Sequence, residues 1–434
     1  MSATARPVAI LAGNRIPFAR SNSAYSHASS HDMLTAALDG LIARAHLEGE
    51  LLGEVVAGAV LKHPRDRDLT REAVLSTTLA PETPAYDIQQ ACATGLQAVV
   101  AVANKIALGQ IDAGIAGGVD TTSDAPLSLN EDLRRILLEL NRTRSTAGRV
   151  RLLARLRPRQ LMPEIPRNSE PRTGLSMGKH CAITAREWGV TRREQDELAA
   201  RSHTRMAAAY ERGFFEDLLT PYLGLERDEN LRPDSTPERL AKLPPVFGGL
   251  DATMTAGNST PLSDGASAVL LSSEDWARER GLGVLAYLTD AQAAAVDHVK
   301  EREGLLMAPA YAMGRILDRT GLALGDFDLY EIHEAFAAQV LCTLCAWEDP
   351  SFCRERLGRD EPLGSIDVQR LNVNGGSLAA GHPFAATGAR IVASLAKALH
   401  ERGSGRGVIS ICAAAGQGVV AILQAAHPER FGDG

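Results

Sequence analysis

Short apolar runs that end in glycine alternate along this chain with longer stretches whose apolar positions recur every three or four residues. "VAILAG" at 8–13, "EVVAGAVL" at 54–61 and "AGIAGGVD" at 113–120 have the length and composition of buried strands. "DMLTAALDGLIARA" at 32–45 carries the helical period, with Asp32 as its predicted cap. At 87–110, "DIQQACATGLQAVVAVANKIALGQ" sets Cys92 just before a long apolar helix, beside Thr94 and Gly95. Strands and helices in alternation predict an α/β fold with a largely parallel sheet.

From about 121 to 250 the pattern changes. Strand-like runs become rare, and arginine, proline and helical stretches such as "TRREQDELAARSHTRMAAAYERG" dominate, which predicts a helical insertion. Strand character returns with "ASAVLLSS" at 266–273. A second α/β unit follows: "LAYLTDAQAAA" as a strand, "AMGRILDRTGL" as a helix, and "FDLYEIHEAFAAQVLCTL" as a strand running into a helix. "RLNVNGGSLAAGHPFAATGARIVASLAKAL" then reads as a glycine-rich loop and helix, and "GVISICAAAGQGVVAILQ" as a terminal hairpin. Both units place a reactive residue among small ones at a helix start, so the expectation is a duplicated fold around an insertion.

A length of 434 residues, 45% hydrophobic and 23% charged, suits an ordinary globular protein of two or three domains. The net charge of −7 argues against a protein dedicated to nucleic acid, which needs a basic footprint. No apolar run reaches membrane-spanning length. "MSATARPVAILAG" enters a strand almost at once, leaving no room for a signal or transit peptide, and "ERFGDG" carries no lipidation signal. The expected location is cytoplasmic. The six cysteines are too sparse for a disulfide scaffold. Cys342 and Cys345 have the spacing of half a zinc site, but no second such pair exists and they lie in an apolar helical run, so the expectation is no metal.

Four segments carry candidate chemistry: "CATG" at Cys92, "HEAF" at His333, "GGSLAAGHPFAATG" around His382, and "CAAAGQG" at Cys412. Taken singly, each has a plain structural reading. Cys92 could be a packed small hydrophobe, though a helix mouth favours a thiolate. His382 could be a loop histidine tied to a carbonyl, and Cys412 a strand cysteine before a turn. The glycines after Cys412 lack the spacing, helix and acidic residue of a dinucleotide site. Together, two thiols and two histidines on loops and helix mouths support acyl transfer through a thioester. One cysteine attacks a carbonyl, a histidine takes its proton, and a second proton carrier serves the carbon leaving group.

These segments resemble the thiolase family, and the resemblance runs from "GNRIPFA" at 13–19 through "TAGNSTPLSDGASAVLL" at 255–271 to "CAAAGQG". The variant is most similar to degradative 3-ketoacyl-CoA thiolases that partner a hydratase/dehydrogenase subunit, where "HEAF" replaces the more usual "NEAF". Ala415 stands at a position where that subset carries glycine. The resemblance implies two βαβαβαββ halves in five α-β-α-β-α layers with a helical loop domain. Residues 1–123 and 249–275 would form the N-terminal half, 124–248 the insertion, and 276–434 the C-terminal half.

The resemblance also implies roles. Cys92 would hold the acyl group, His382 would activate Cys92 and then CoA, and Cys412 would exchange a proton with the α-carbon of acetyl-CoA. His333 would position a water, or donate directly, at the thioester oxygen. The N–H groups of Cys92 and Ala414 would form a second oxyanion hole. Met177, Ala256, Thr260 and Phe336 would meet CoA, although each also reads as ordinary packing. CoA is the substrate, no tightly bound cofactor is implied, and dispersed arginines of the insertion would have to meet its phosphates. The product would be acetyl-CoA and a shortened acyl-CoA, as in fatty-acid β-oxidation. The alternatives are condensation by an acetyl-CoA C-acetyltransferase, a decarboxylating ketosynthase, a cysteine hydrolase, or a non-catalytic CoA-binding subunit.

Residues 131–160 hold nine arginines (134, 135, 142, 144, 149, 151, 155, 157 and 159) against Glu131, Asp132 and Glu139. Leu133, Ile136, Leu137 and Leu140 form a helical stripe between them. This reads either as a solvated basic face over a packed helix or as a docking surface for an acidic partner subunit or an anionic membrane. A dimer or larger homo-oligomer is the other association that the resemblance implies.

Overall fold

Alternation along β1 (Val8–Arg15) decides the layering: Val8 and Ile10 point into one apolar core, and Ala9 and Leu11 into another. The computed structural model describes residues 5–249, 252–300 and 303–426; the first four residues and the C-terminal "ERFGDG" lie outside them. The other strands are β2 (Ala19–Arg20), β3 (Glu54–Ala57), β4 (Ala85–Asp87), β5 (Ala113–Asp120), β6 (Pro245–Phe247) and β7 (Met254–Thr255). β8 (Ser263–Ser273), β9 (Ala286–Ala295), β10 (Leu329–Ile332), β11 (Arg406–Ala413) and β12 (Gln417–Ala425) complete the set. The principal sheet runs β10-β11-β12-β9-β1-β8-β5-β3-β4, with β2 on β8.

Its two halves meet where β1 pairs with β9 over Val8–Leu288, Ala9–Tyr287 and Ile10–Ala286. The sheet is mixed rather than largely parallel. Pairing is parallel for β3–β4, β3–β5 and β10–β11 and antiparallel for the other neighbours in the order. The reason is connectivity: β8 returns from the insertion and β12 from a hairpin, and neither arrives by a βαβ crossover.

Helices α1 (Ser30–Ala45) and α2 (Leu69–Leu75) cover the outer face of the first half-sheet. α3 (Thr94–Ala107) lies between the half-sheets. The inserted segment carries α4 (Glu131–Arg142), α5 (Thr146–Leu153), α6 (Met177–Glu187), α7 (Arg192–Glu211) and α8 (Pro237–Leu240); α9 (Glu274–Glu279) follows β8. α10 (Ala308–Thr320) and α11 (Ala337–Glu348) cover the outer face of the second half-sheet, next to α12 (Pro350–Arg356). α13 (Ser377–Ala380) leads to α14 (Ala386–Arg402), which joins α3 in the central layer. The result is α–β–α–β–α.

Two local expectations change. The cap of α1 is Ser29, whose side chain accepts the Asp32 N–H, while Asp32 answers from the third helical position. The strand expected over 54–61 stops at Ala57. A Cβ on Gly58 would lie 1.8 Å from the Ile88 carbonyl oxygen, and the Val60 and Leu61 N–H groups turn to the Asp120 carboxylate.

On α4, Leu133 and Ile136 are buried while Leu137 is exposed, so the apolar stripe is only half covered; all nine arginines of 131–160 are exposed. Cys342 and Cys345 both lie on α11, one buried and one exposed. Among the described residues no helix is long and apolar enough to cross a membrane.

Candidate active site

Cys92 sits in the tight passage from β4 into α3, where Ala91 adopts a left-handed φ of 45°. Thr94 locks this turn, because its hydroxyl accepts the Gln90 N–H at 2.8 Å and donates to the Ala91 carbonyl at 2.7 Å. The start of α14 comes close because glycines face each other. A Cβ on Gly388 would fall 2.1 Å from the Leu96 nitrogen, and one on Gly95 would fall 2.6 Å from the Ala385 carbonyl oxygen. That approach carries the 381–385 loop, and His382 with it, to Cys92.

His382 Nε2 lies 3.1 Å from Cys92 Sγ, and its Nδ1 lies 2.6 Å from Thr387 Oγ1. A backbone bond from His382 to Ser263 Oγ, and one from Asn230 Nδ2 to the Ala380 carbonyl, fix the loop from outside. Asp120 fixes it from below by accepting the Ala385 N–H at 2.8 Å as well as those of Val60 and Leu61. Its burial raises that carboxyl to about 7, against the lowering effect of these backbone donors.

His333 follows β10, and its ring stacks tilted on that of His382 with centroids 4.2 Å apart. Cys92, His333 and His382 bring ligand-type atoms within 4.8 Å of one another. His333 Nδ1 meets Ser377 Oγ at 2.8 Å, and Ser377 Oγ also accepts from Arg390 at 2.9 Å. The serine oxygen keeps a second lone pair and its own proton, so it can donate to Nδ1 or accept from it, according to the tautomer. Where the serine donates, the imidazole proton sits on Nε2, which is buried and has no hydrogen-bond partner among the described residues. In that tautomer Nε2–H is a donor at the centre of the site. Glu334 beside it serves as an anchor, accepting from Asn372, Ser202 and the Leu378 N–H.

Cys412, at the end of β11, is buried, and its thiol is held well above its usual range by burial, with Cys92 adding to the effect. Burial likewise pushes the Cys92 thiol up to about 12; the N–H groups of Ala414 and of Cys92 itself act against this, and Asp120 adds to it. Burial lowers His382 to about 3, helped by Arg390, and holds His333 well down for the same reason, helped by His382 and Arg390. The helix mouth therefore does not leave a standing thiolate. Desolvation outweighs the helix end, and thiols and imidazoles rest neutral at pH 7.

The residues expected around CoA spread over a wider surface. Ala256 is exposed on a groove that also has Arg20, Arg232, Arg239, Ser259 and Leu378 in its walls. Thr260 turns its hydroxyl to the Ala335 carbonyl at 3.0 Å and so braces the "HEAF" loop. Phe336 is buried edge-to-face against Phe247, and Met177 packs at the start of α6 beside the second core.

Sequence reasoning missed Thr387, Ser377, Arg390 and Asp120 as supports of the two histidines. Only Asp120 gave a signal, as an acid closing an otherwise apolar strand. The arrangement offers a nucleophile with its base, a second thiol, a buried N–H donor on imidazole, and two backbone donors facing Cys92 Sγ. Such a set can form and discharge an acyl-thioester.

Comparison with known proteins agrees with this chemistry. The sequence matches the family descriptions "Thiolase, N-terminal domain" over residues 8–275 and "Thiolase, C-terminal domain" over 282–425. It is 40% identical to a 3-ketoacyl-CoA thiolase of Yersinia enterocolitica and to one of Yersinia pestis, over 96% of each chain. Among solved structures, an acetyl-CoA acetyltransferase of Bacillus anthracis superposes with a TM-score of 0.81 at 30% identity, over 98% of this chain and all of the other. Human mitochondrial 3-ketoacyl-CoA thiolase in complex with CoA gives 0.80 at 29%, over 97% and 98%.

Proposed function

The chain belongs to the thiolase family, and from that premise we infer that it is an acyltransferase using CoA to cleave 3-ketoacyl-CoA into acetyl-CoA and a shortened acyl-CoA, as in fatty-acid β-oxidation. The observation that carries the reading is the 3.1 Å contact between Cys92 Sγ and His382 Nε2, with His333 and Cys412 beside it.

His382 takes the Cys92 proton as sulfur attacks the keto carbon, and the new oxyanion is met by the N–H groups of Cys92 and Ala414. Each such donor is worth about 3 kcal/mol in comparable sites. The bond between C2 and C3 then breaks, and its electron pair moves onto the thioester oxygen. His333, with its proton on Nε2, donates to that oxygen. Cys412 gives its proton to C2, releasing acetyl-CoA, and recovers one from the His382 imidazolium. CoA next loses its thiol proton to His382 and attacks the acyl group on Cys92; the departing sulfur takes that proton back. Two thiols are needed because the two ends of the broken bond require different partners. The same residues run the condensation in reverse.

CoA would lie along the groove beside Ala256, with Arg20, Arg232 and Arg239 toward its phosphates and Met177, Thr260 and Phe336 toward the reactive end. We place the N-terminal half at 1–123 and 249–275, the loop domain at 124–248 and the C-terminal half at 276–434. We further propose a cytoplasmic homo-oligomer, at least a dimer, that does not bind nucleic acid. Its basic segment 131–160 would dock an acidic partner such as a hydratase/dehydrogenase subunit, or an anionic membrane. The exposed arginines and half-covered stripe of α4 support that role.

The deciding experiment is CoA-dependent cleavage of 3-ketoacyl-CoA substrates of graded length. Parent activity should fall by about 10³-fold or more in Cys92→Ser and His382→Ala, and Cys412→Ser should lose cleavage as well. Absence of cleavage at every length, with no acyl adduct on Cys92 by mass spectrometry, would favour a non-catalytic CoA-binding subunit.

A further inference from the structure

The turn between β11 and β12 contains two successive left-handed residues, Ala415 at φ 62° and Gly416 at φ 72°. Glycine tolerates this, but alanine resists it through its Cβ. The turn is fastened on both sides. Val296 N–H donates to the Gly416 carbonyl at 2.8 Å, and Ala415 N–H donates to Glu170 Oε1 at 2.7 Å.

Glu170 comes from the inserted segment and is buried. Its backbone is held in a short hairpin: Glu170 N–H reaches the Leu175 carbonyl at 2.9 Å, and its own carbonyl receives Gly174 N–H at 2.8 Å. Its second oxygen lies 4.0 Å from His298 Nε2, a buried atom with no hydrogen-bond partner among the described residues. His180 meets the His298 ring edge-on at 5.8 Å and is itself tied to Thr173 Oγ1 at 2.7 Å. The acyl-transfer steps described above use none of these groups, yet they converge on the residue next to Ala414.

We propose that Glu170 is a positioning residue for acyl transfer: by holding Ala415 left-handed, it aims the neighbouring Ala414 N–H at the oxyanion formed on Cys92. Ala413 is fixed by its pairing with Gln417 across the hairpin. Glu170 fixes the peptide plane between Ala414 and Ala415. Ala414 is thereby left with no freedom to swing its own N–H, which already faces Cys92 Sγ. The inserted segment thus reaches into the chemistry through one carboxylate. The inference rests on the thiolase reading, since it gives that N–H its task.

The test compares the full-length parent with Glu170→Ala, Glu170→Asp, Glu170→Gln and Ala415→Gly, together with the Glu170→Ala/Ala415→Gly double variant. Steady-state thiolysis and single-turnover acylation of Cys92 are read on samples shown by circular dichroism to be folded. Glu170→Ala and Glu170→Asp should lower kcat and the acylation rate about 10- to 100-fold with KM within about twofold, because the acceptor is lost or withdrawn. Glu170→Gln, which keeps an acceptor oxygen, should stay within about threefold of the parent. Adding Ala415→Gly to Glu170→Ala should recover part of the loss, since the left-handed conformation is then unstrained.

Parental kcat in Glu170→Asp would overturn the proposal. So would a Gln variant as impaired as Ala, or a loss confined to KM. If Glu170→Ala fails to fold, the Asp and Gln variants decide between the same outcomes. An inactive parent would instead overturn the thiolase reading.

Discussion

Burial pushes the Cys92 thiol up to about 12 and the His382 imidazole down to about 3, which favours the neutral pair before substrate arrives. His382 is lowered by burial from 6.5 to about 3, and it must be unprotonated to accept a proton. The acidic limb of kcat/KM should therefore lie well below pH 6.5, and activity should stay level between about pH 6 and 7. A pH–rate profile checks this, and a limb centred near 6.5 would contradict it. The same shift enters stability with a defined sign. The folded value lies below the unfolded one, so this contribution is fully present above pH 6.5 and is lost as pH falls toward 3. Burial of Asp120, raised to about 7, acts in the opposite sense: its contribution is present below the ordinary carboxylate range and lost as pH rises to 7. Cys92, His333, His382 and Cys412 were legible in the sequence because each lies among small residues that only a close approach explains. Ser377, Arg390, Thr387 and Glu170 were not. Each is an ordinary polar residue whose role comes from its bonding partner, and for Ser377 and Glu170 those partners, His333 and Ala415, are remote in sequence.

Among the elements, α3 and α14 matter most, because the gap between their first turns sets the distance from Cys92 to His382. Gly388→Ala should force backbone against backbone, costing about 1–3 kcal/mol of stability and lowering kcat about 100-fold through displacement of His382. Urea unfolding and steady-state kinetics read the two effects separately. A variant with parental kcat would show that the helix starts do not set the site. The strands and helices were mostly legible from their periods. The errors came where contacts made elsewhere overrode local pattern, as when Val60 and Leu61 leave the sheet to satisfy Asp120. The sheet is less parallel than the alternating pattern predicts because β8 returns antiparallel after a segment of more than a hundred residues, a direction that no local pattern carries.

For the whole molecule, the fold is one layout used twice, with an inserted segment carrying both a basic surface and Glu170. Reversing Arg142, Arg144, Arg151, Arg157 and Arg159 to glutamate should leave kcat unchanged, because these side chains are exposed on the segment 131–160. It should abolish co-sedimentation with anionic vesicles, or co-purification with an acidic partner subunit. Retention of both would sink the docking role. The duplication has a consequence for how the enzyme is made. Cys92 belongs to the first half, whereas His333, His382 and Cys412 belong to the second, and the last strand to pair, β12, begins only at Gln417. A ribosome-bound chain carries Cys92 through most of its synthesis without the histidines, the second thiol or the Ala414 N–H that complete the site. A chain terminated before β11 and β12 should therefore show no thiolysis.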